Sequence, residues 1–249
     1  MNGPASAVDA IPADLDALDR ADLSPWFNPF LRYFASEAWR CGGNVRVVRE
    51  AGAVVSLMVS DPVERVASVF SRSRSIAEAW VRERGSLGMY SDFPFEPRGE
   101  VFEILLASLN ADLPPYRFRH PIRPVTAGDL PAVLDLMREV YGMVNERWFE
   151  GLSDVPEAGF IAEAGGRVVG VGWISLVGTH ARLHSLTVRA THRRMRLGTD
   201  LLFARLLWAR RAGASDVLSE ISERNDASRS IAARAGMRRV GEIYFYPPG

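Results

Sequence analysis

Lysine is absent from this chain of 249 residues: all thirty basic residues are arginine. That removes Schiff-base chemistry and a lysine general base at once. Cysteine is nearly absent too. With Cys41 alone, no intramolecular disulfide or thiolate metal cluster can form, which fits a reducing cytoplasm. Net charge is also missing, because thirty acidic residues balance the thirty arginines. The molecule as a whole therefore has no electrostatic reason to seek nucleic acid or a membrane, and any basic behaviour is local. No apolar run reaches the roughly 18 residues of a membrane span, and the acidic N-terminus lacks the basic-then-apolar pattern of a signal peptide. What remains is an ordinary globular composition, 47% apolar and 24% charged, long enough for one large or two small domains with a real core.

Punctuation along the chain suggests three parts. Residues 1–24, rich in Ala, Asp and Pro, read as a mobile leader with room for one short helix. Residues 25–119 read as an N-terminal αβ unit. It opens with a cluster of aromatics whose Phe30 and Phe34 suit the core face of a helix. Val45–Arg49 and Val54–Val59 then read as a hairpin around Glu50-Ala51-Gly52-Ala53. An apolar run from Pro62 to Phe70 follows. Ser75–Arg84 is expected to be helical, with Ser75 as N-cap and Gly85 as stop, and Glu100–Leu109 helical again. The double proline Pro114-Pro115 and the run His120-Pro121 mark the boundary, so residues 120–249 form the second unit.

Within that second unit the order is clear. Ile122–Val125 is a short strand, and Leu130, Val133, Leu134 and Met137 share a helical face. Phe160–Glu163 and Arg167–Leu176 form a hairpin about Gly165-Gly166, whose turn tolerates positive φ. Arg182–Val188 is the next strand. Leu201, Leu202, Leu206 and Trp208 place an apolar stripe on a helix that Gly213 ends. Val217–Ile221 is a buried strand, Asp226–Ala235 a helix stopped by Gly236, and Glu242–Tyr246 a final strand. Both halves show a glycine-turned hairpin, a further strand and a helix, so the first half reads as a decayed copy of the second.

The most informative stretch joins the strand end Leu186-Thr187-Val188 to the helix beginning near Gly198 through Arg193-Arg194-Met195-Arg196-Leu197-Gly198-Thr199. The first amides of a helix lack intrahelical partners and carry the positive end of its dipole, so an anion can settle there, and flanking arginines strengthen the field. Strand, R-R-x-R-L-G-T and helix resemble the acyl-CoA-binding signature of the GNAT acyltransferase superfamily, Q/R-x-x-G-x-G/A. Arg193 and Gly198 fall on its two ends, and Arg196 stands at its middle glycine. Ser219-Glu220-Ile221-Ser222-Glu223-Arg224-Asn225, then Ser228, Ile231, Gly236 and Met237, are similar to the family's second landmark.

The resemblance covers about residues 120–246 and implies an α/β fold of GNAT type: a mixed, splayed sheet flanked by helices, preceded by a smaller αβ unit. It implies acetyl-CoA as cosubstrate, no metal, and transfer to a primary amine by direct attack in a ternary complex. Main-chain groups of Leu186 and Val188, with Thr187 between them, would hold the pantetheine arm, and the Val188 region would serve the oxyanion. Arg193, Arg194, Met195, Arg196, Leu197, Gly198 and Thr199 would cradle the diphosphate. Asn225 and Ser228 have two uses, orienting the cofactor amide or starting the last helix. The candidate bases are His184, on the strand entering the motif, and Glu220, on its neighbour. The family's tyrosine acid would fall at Ala232, so Tyr244, Tyr246 or solvent would have to replace it.

Two alternatives stay open. The missing acid fits a catalytically silent acyl-CoA sensor. Arg189, Arg193, Arg194, Arg196, Arg205, Arg210 and Arg211 fit a nucleic-acid binder, although no aromatics are interleaved for stacking. A metal shared by His180 and His184 would need to bridge about 13 Å of strand, so none is expected. The first unit has Ser71-Arg72-Ser73-Arg74-Ser75 where the second has its cradle, and is expected not to bind CoA. Its candidate roles are covering the site or mediating homodimer contacts. Tyr141–Pro156, with Trp148, Phe149, Glu146, Glu150 and Asp154, and Glu157 just beyond, would line an acceptor pocket together with Tyr244–Pro248.

Overall fold

A computed structural model describes residues 7–142, 144–149 and 157–249 of the chain. The chain divides into two compact units: Met1–Phe102 with Glu242–Gly249, and Glu103–Gly241. Both carry mixed sheets with helices, as a GNAT-type α/β fold requires. This division differs from the one expected near residue 120. Pro114 and Pro115 join no domains; they begin an extended strap inside the second unit, where the Tyr116 ring stacks on Phe203 at 3.9 Å.

In the first unit the strand order is β1 (Val8–Asp9), β2 (Asn44–Glu50), β3 (Ala53–Asp61), β4 (Val66–Ser71), β5 (Gly88–Ser91) and then the end of β12 (Arg238–Tyr246). The β2–β3 hairpin turns at Ala51 and Gly52, both at positive φ, which gives the twist that two-residue hairpins need. Only β4 and β5 run parallel among the consecutive pairs, with α3 (Arg74–Arg82) as their crossover. Ser73 caps α3, two residues before the expected Ser75. The leader expected through residue 24 contains α1 (Pro12–Leu18), with Leu18 and Leu23 buried and Asp14 paired to Arg49 at 2.8 Å. The aromatics that follow are core. Phe27 and Phe30 are buried, and Phe34, on α2 (Leu31–Arg40), stacks on Phe70 at 5.6 Å.

The second unit orders its strands β6 (Glu100–Ser108), β11 (Asp216–Ser222), β10 (His180–Val188), β9 (Arg167–Val177), β8 (Glu157–Ala164) and β7 (Ile122–Pro124). The segment expected as a helix over Glu100–Leu109 is β6. Val101, Glu103, Leu105 and Ala107, spaced by two, are all buried, and the adjacent Ile104-Leu105 pair is what mimics a helical face. Three helices flank the sheet: α4 (Leu130–Tyr141), α5 (Leu197–Arg211) and α6 (Asp226–Arg234). On one side, α4 packs Val133, Leu136 and Met137 against Ile161 and Val171. On the other, Leu201, Leu202 and Leu206 of α5 pack with Ala181, Leu183 and Val217. Burying each such leucine is worth about 2 kcal/mol.

One buried carboxylate in the first unit sets a pH dependence. Asp92 follows β5, and its Oδ2 is buried without a hydrogen-bond partner among the described residues. Burial pushes the carboxyl up to about 6, against a lowering contribution from the Ser24 hydroxyl. Because the folded-state value lies above the ordinary 3.8, the associated stability is complete at acid pH and lost as pH rises through about 6. Asp92→Asn is therefore expected to raise the unfolding free energy at about pH 8 by on the order of 2 kcal/mol and to add much less at about pH 4. Denaturant titrations at the two pH values check this; equal gains at both would contradict it.

Candidate active site

The site region starts where two parallel strands stop pairing. β10 and β11 are in register from His180↔Asp216 to Leu183↔Ser219, and no pair follows, although β10 runs on to Val188 and β11 to Ser222. On its other side β10 slips against β9 between His184 and Thr187, with Ser185 at φ 51°. Ser185 and Leu186 thus have no register partner on either neighbour, the mark of a β-bulge. Thr187 is buried and donates to the Tyr141 hydroxyl at 2.8 Å. Leu186 and Val188 are half-buried, with their side chains packed against the α5 core.

Beyond β10 the chain turns through Arg193–Arg196 into α5. Arg194 and Arg196 both lie in the left-handed region, at φ 66° and 69°. Arg196 is the N-cap residue, and no side chain caps this helix. Its carbonyl takes the amides of Thr199 and Asp200, both at 3.0 Å. The five amides from Arg194 to Gly198 donate to no described group. The side chains of Arg193, Arg194, Met195 and Arg196 are exposed, while Leu197 and Thr199 are buried and can offer only backbone. Gly198 is tightly packed: a Cβ there would lie 3.2 Å from the end of the Ile231 side chain on α6. Arg193 Nε donates to the Val188 carbonyl at 3.3 Å.

The start of α5 is also held from within. Asp200 is fully buried and accepts from the Tyr116 hydroxyl at 2.6 Å, from His120 Nδ1 at 2.7 Å and from the amides of Arg119 and His120 at 3.1 and 3.2 Å. A carboxylate in the first turn suits the helix dipole. Burial, and then this carboxylate, raise the Tyr116 phenol well above its ordinary value.

The candidate bases have different surroundings. His184 and Glu220 share a face by strand alternation: His180 and Arg182 pair with Asp216 and Leu218, and each of the two lies two residues past the latter pair. Glu220 is engaged: its Oε1 accepts from Arg182 Nε at 2.8 Å. His184 Nε2 lies 2.9 Å from Ser175 Oγ and 3.0 Å from Glu157 Oε1, and Ser175 itself donates to Glu157 at 2.9 Å. An imidazole that donates through Nε2 presents Nδ1 as its basic nitrogen. Nδ1 faces Ser185 Oγ at 3.4 Å.

Other expected residues are placed as follows. Asn225 Oδ1 accepts from the Ser228 amide at 3.1 Å, which is the capping arrangement. Ala232 is buried. Tyr244 and Tyr246 belong to the first unit, where Tyr246 donates to the Phe93 carbonyl at 3.1 Å and Tyr244 to Glu242 at 2.9 Å. Of the arginines considered for nucleic acid, Arg205 is buried, Arg189 pairs with Glu139, and Arg210 with Asp112 at 3.0 Å. The expected acceptor loop falls largely outside the described residues: Met143 and 150–156, and the side chains of Trp148 and Phe149. Sequence reasoning missed Ser175 and the role of Arg205. The available signals were a serine at the β9 position facing Glu157 and a charge inside the apolar stripe of α5.

Residues 130–237 match the Acetyltransferase (GNAT) family, and this stretch is a GNAT domain. No curated protein matches the sequence. Similar solved structures include a Drosophila protein of structural-genomics origin, 14% identical, with 99% of this chain and 100% of that one covered and a TM-score of 0.66. A tandem GNAT protein from the clavulanic acid biosynthesis pathway is 15% identical, with 99% of each chain covered and a TM-score of 0.61. A GCN5-related N-acetyltransferase from Sphaerobacter thermophilus is 16% identical, covers 96% and 94%, and has a TM-score of 0.62. At these identities the likeness is one of fold, and it spans both units. The family match, over residues 130–237, is to acetyltransferases, and the likeness of fold agrees with it.

Arg196 occupies a left-handed position where the family signature has glycine, so its side chain costs about 1 kcal/mol of backbone strain. Arg196→Gly is expected to stabilise the protein by up to about 1 kcal/mol, whereas Arg196→Ala brings no gain. Denaturant unfolding of the two variants distinguishes this from a side-chain effect, which would move both alike.

Proposed function

We propose that the protein transfers the acetyl group of acetyl-CoA to a primary amine by direct attack in a ternary complex. The observation that carries this reading is the run of amides from Arg194 to Gly198, unclaimed by any described group, beside an opening between β10 and β11. A diphosphate needs such donors, and the exposed Arg193, Arg194 and Arg196 supply counter-charge. A pantetheine arm fits the opening, where main-chain groups of Leu186 and Val188 would act as a neighbouring strand does. When bound, acetyl-CoA supplies an activated carbonyl and a thiolate leaving group.

The chain's own residues do the rest. His184 Nδ1 takes a proton from the ammonium, turning it into a nucleophile, and Glu157 stabilises the imidazolium through Nε2. The amine nitrogen then bonds to the carbonyl carbon as the C=O electron pair moves to oxygen, where bulge amides can receive it. The pair returns, the C–S bond breaks, and the nitrogen's second proton leaves with the thiolate. No tyrosine is needed for that step, because a thiolate is a tolerable leaving group near neutral pH. Glu220, held by Arg182, is assigned to shaping the face rather than to proton transfer. The acidic Glu146 and Glu157 favour a cationic acceptor. The lone buried Cys41 supports a cytoplasmic location.

The first unit is assigned no CoA. Its α3 begins with Ser73 Oγ accepting from the Ile76 amide at 3.4 Å and Ser71 Oγ from the Ser73 amide at 3.0 Å, so its own serines occupy two of the donors. A second reading, a silent acyl-CoA sensor, is favoured by one observation, the buried Ala232 at the expected acid position.

Calorimetry with acetyl-CoA tests the binding half. Submillimolar affinity is expected, weakened at least about tenfold by Arg193→Ala combined with Gly198→Glu; absence of binding would end the proposal. Thiol release with a panel of amines tests the second half. His184→Gln is expected to slow it by about 10²-fold or more with affinity for acetyl-CoA retained. Tight binding without release in the wild type would select the sensor.

A further inference from the structure

Among the described residues, Arg205 is the largest fully buried side chain, and no carboxylate pairs with it. It rises from α5 toward the sheet. Its Nε donates to the Leu201 carbonyl at 3.1 Å, and its Nη1 donates to the carbonyls of Trp173 at 3.1 Å and His184 at 3.3 Å. Trp173 and His184 are register partners on β9 and β10, the last pair before the bulge. The opposing residue inside the bulge is Gly172, where a Cβ would lie 3.0 Å from the guanidinium carbon and from Nε. Sheet and helix therefore leave a hole of guanidinium size where β10 breaks register.

Burying a charge against backbone carbonyls alone is costly, and replacing such groups by apolar side chains is often neutral or stabilising. Burial pushes the guanidinium down to about 9, and it still carries its charge at neutral pH. A cation kept there is better explained by what lies in front of it. The peptides of Ser185 and Leu186 have no ladder partner, and a low-dielectric setting leaves the field unscreened.

We propose that Arg205 is a positioning residue for acyl transfer: it holds the Ser185–Leu186 bulge in shape and places a positive charge behind the thioester carbonyl oxygen, which gains negative charge during the reaction. This rests on the acetyl-CoA reading above. The guanidinium contacts no reacting atom. It acts through the bulge peptides, polarising them as a chain of aligned hydrogen bonds does and adding its own field.

The probe is acetyl-CoA labelled with carbon-13 at the carbonyl, bound to the full-length protein and observed by NMR. In the wild type the carbonyl resonance is expected to move downfield on binding. In Arg205→Met, which fills a similar volume without charge, most of that displacement is expected to vanish while the dissociation constant changes by less than about threefold. Gly172→Ala is the second variant, since its methyl displaces the guanidinium without removing it, and it is expected to reduce the displacement in the same way. Full displacement in both variants, or in Gly172→Ala should Arg205→Met fail to fold, overturns the inference and leaves the acetyl-CoA reading intact. Loss of binding in step with loss of thermal stability would reduce Arg205 to a structural part and also overturn it. If the wild type itself fails to bind the probe, the functional reading falls and takes the inference with it.

Discussion

A parallel strand pair that stops pairing halfway is the constraint on which this site depends. β10 and β11 share four register pairs, ending at Leu183↔Ser219, and then continue without one another. Backbone donors and acceptors inside a protein are almost always satisfied, so an opening of this kind needs partners from elsewhere. Arg205 supplies one on β10, at the carbonyl of His184, and another on the β9 side of the bulge, at Trp173. Arg193 supplies another, at the carbonyl of Val188. What is left over is the edge of β10 past the bulge and the amides at the head of α5, and these are the groups a strand-like arm ending in phosphates would use. The unpaired groups of this region are backbone groups. The side chains around it keep that backbone open.

The first unit makes the same point by contrast. Its β2, β3, β4, α3 and β5 follow the order of β8, β9, β10, α5 and β11, and its parallel strands also share four pairs, ending at Val69↔Ser91. Yet Ser71 and Ser73 take two of the amides at the head of its helix. The register also explains its buried carboxylate. Asp92 stands one place past the last pair, as Glu220 does in the second unit; Glu220 has Arg182 beside it, and the corresponding position in the first unit is Ser68. Without a guanidinium neighbour, a carboxyl at that place is raised by burial. The same strand order with different side chains leaves one helix head with unclaimed amides and gives the other two serine acceptors.

Features governed by local chemistry were legible in the sequence. The hairpins at Ala51-Gly52 and Gly165-Gly166 follow from residues that accept positive φ, and the cradle follows from a strand, an arginine turn and a helix in sequence order. Non-local features were not. The β6 segment reads as a helix because Ile104 and Leu105 satisfy both periodicities, and only the alternate burial of Val101, Glu103 and Ala107 decides between them. The domain boundary was misplaced because a double proline was read as a linker, whereas Tyr116 and the Asp200 network bind that segment to α5. Asp200 itself looked like an ordinary first-turn acid. The association of His184 with Glu157 and Ser175 depends on the register of three strands, which no spacing along one strand reveals.

The absence of lysine and the presence of Arg205 are connected by one physical difference. A lysine at this depth would offer a point charge on a flexible stem, and burial readily strips such an amine of its proton. A guanidinium starts from a far higher value, so even when burial brings it down to about 9 it keeps its charge at neutral pH. Its planar fork also reaches three carbonyls at once, one on the helix and one on each of two strands. A lysine has one nitrogen with which to meet the same carbonyls. In a sheet that must be held open at one residue, the fork is both the wedge and the charge. The two functions could not be separated without changing the shape of the opening, and this is why the small side of the contact is Gly172, where any Cβ would press on the guanidinium.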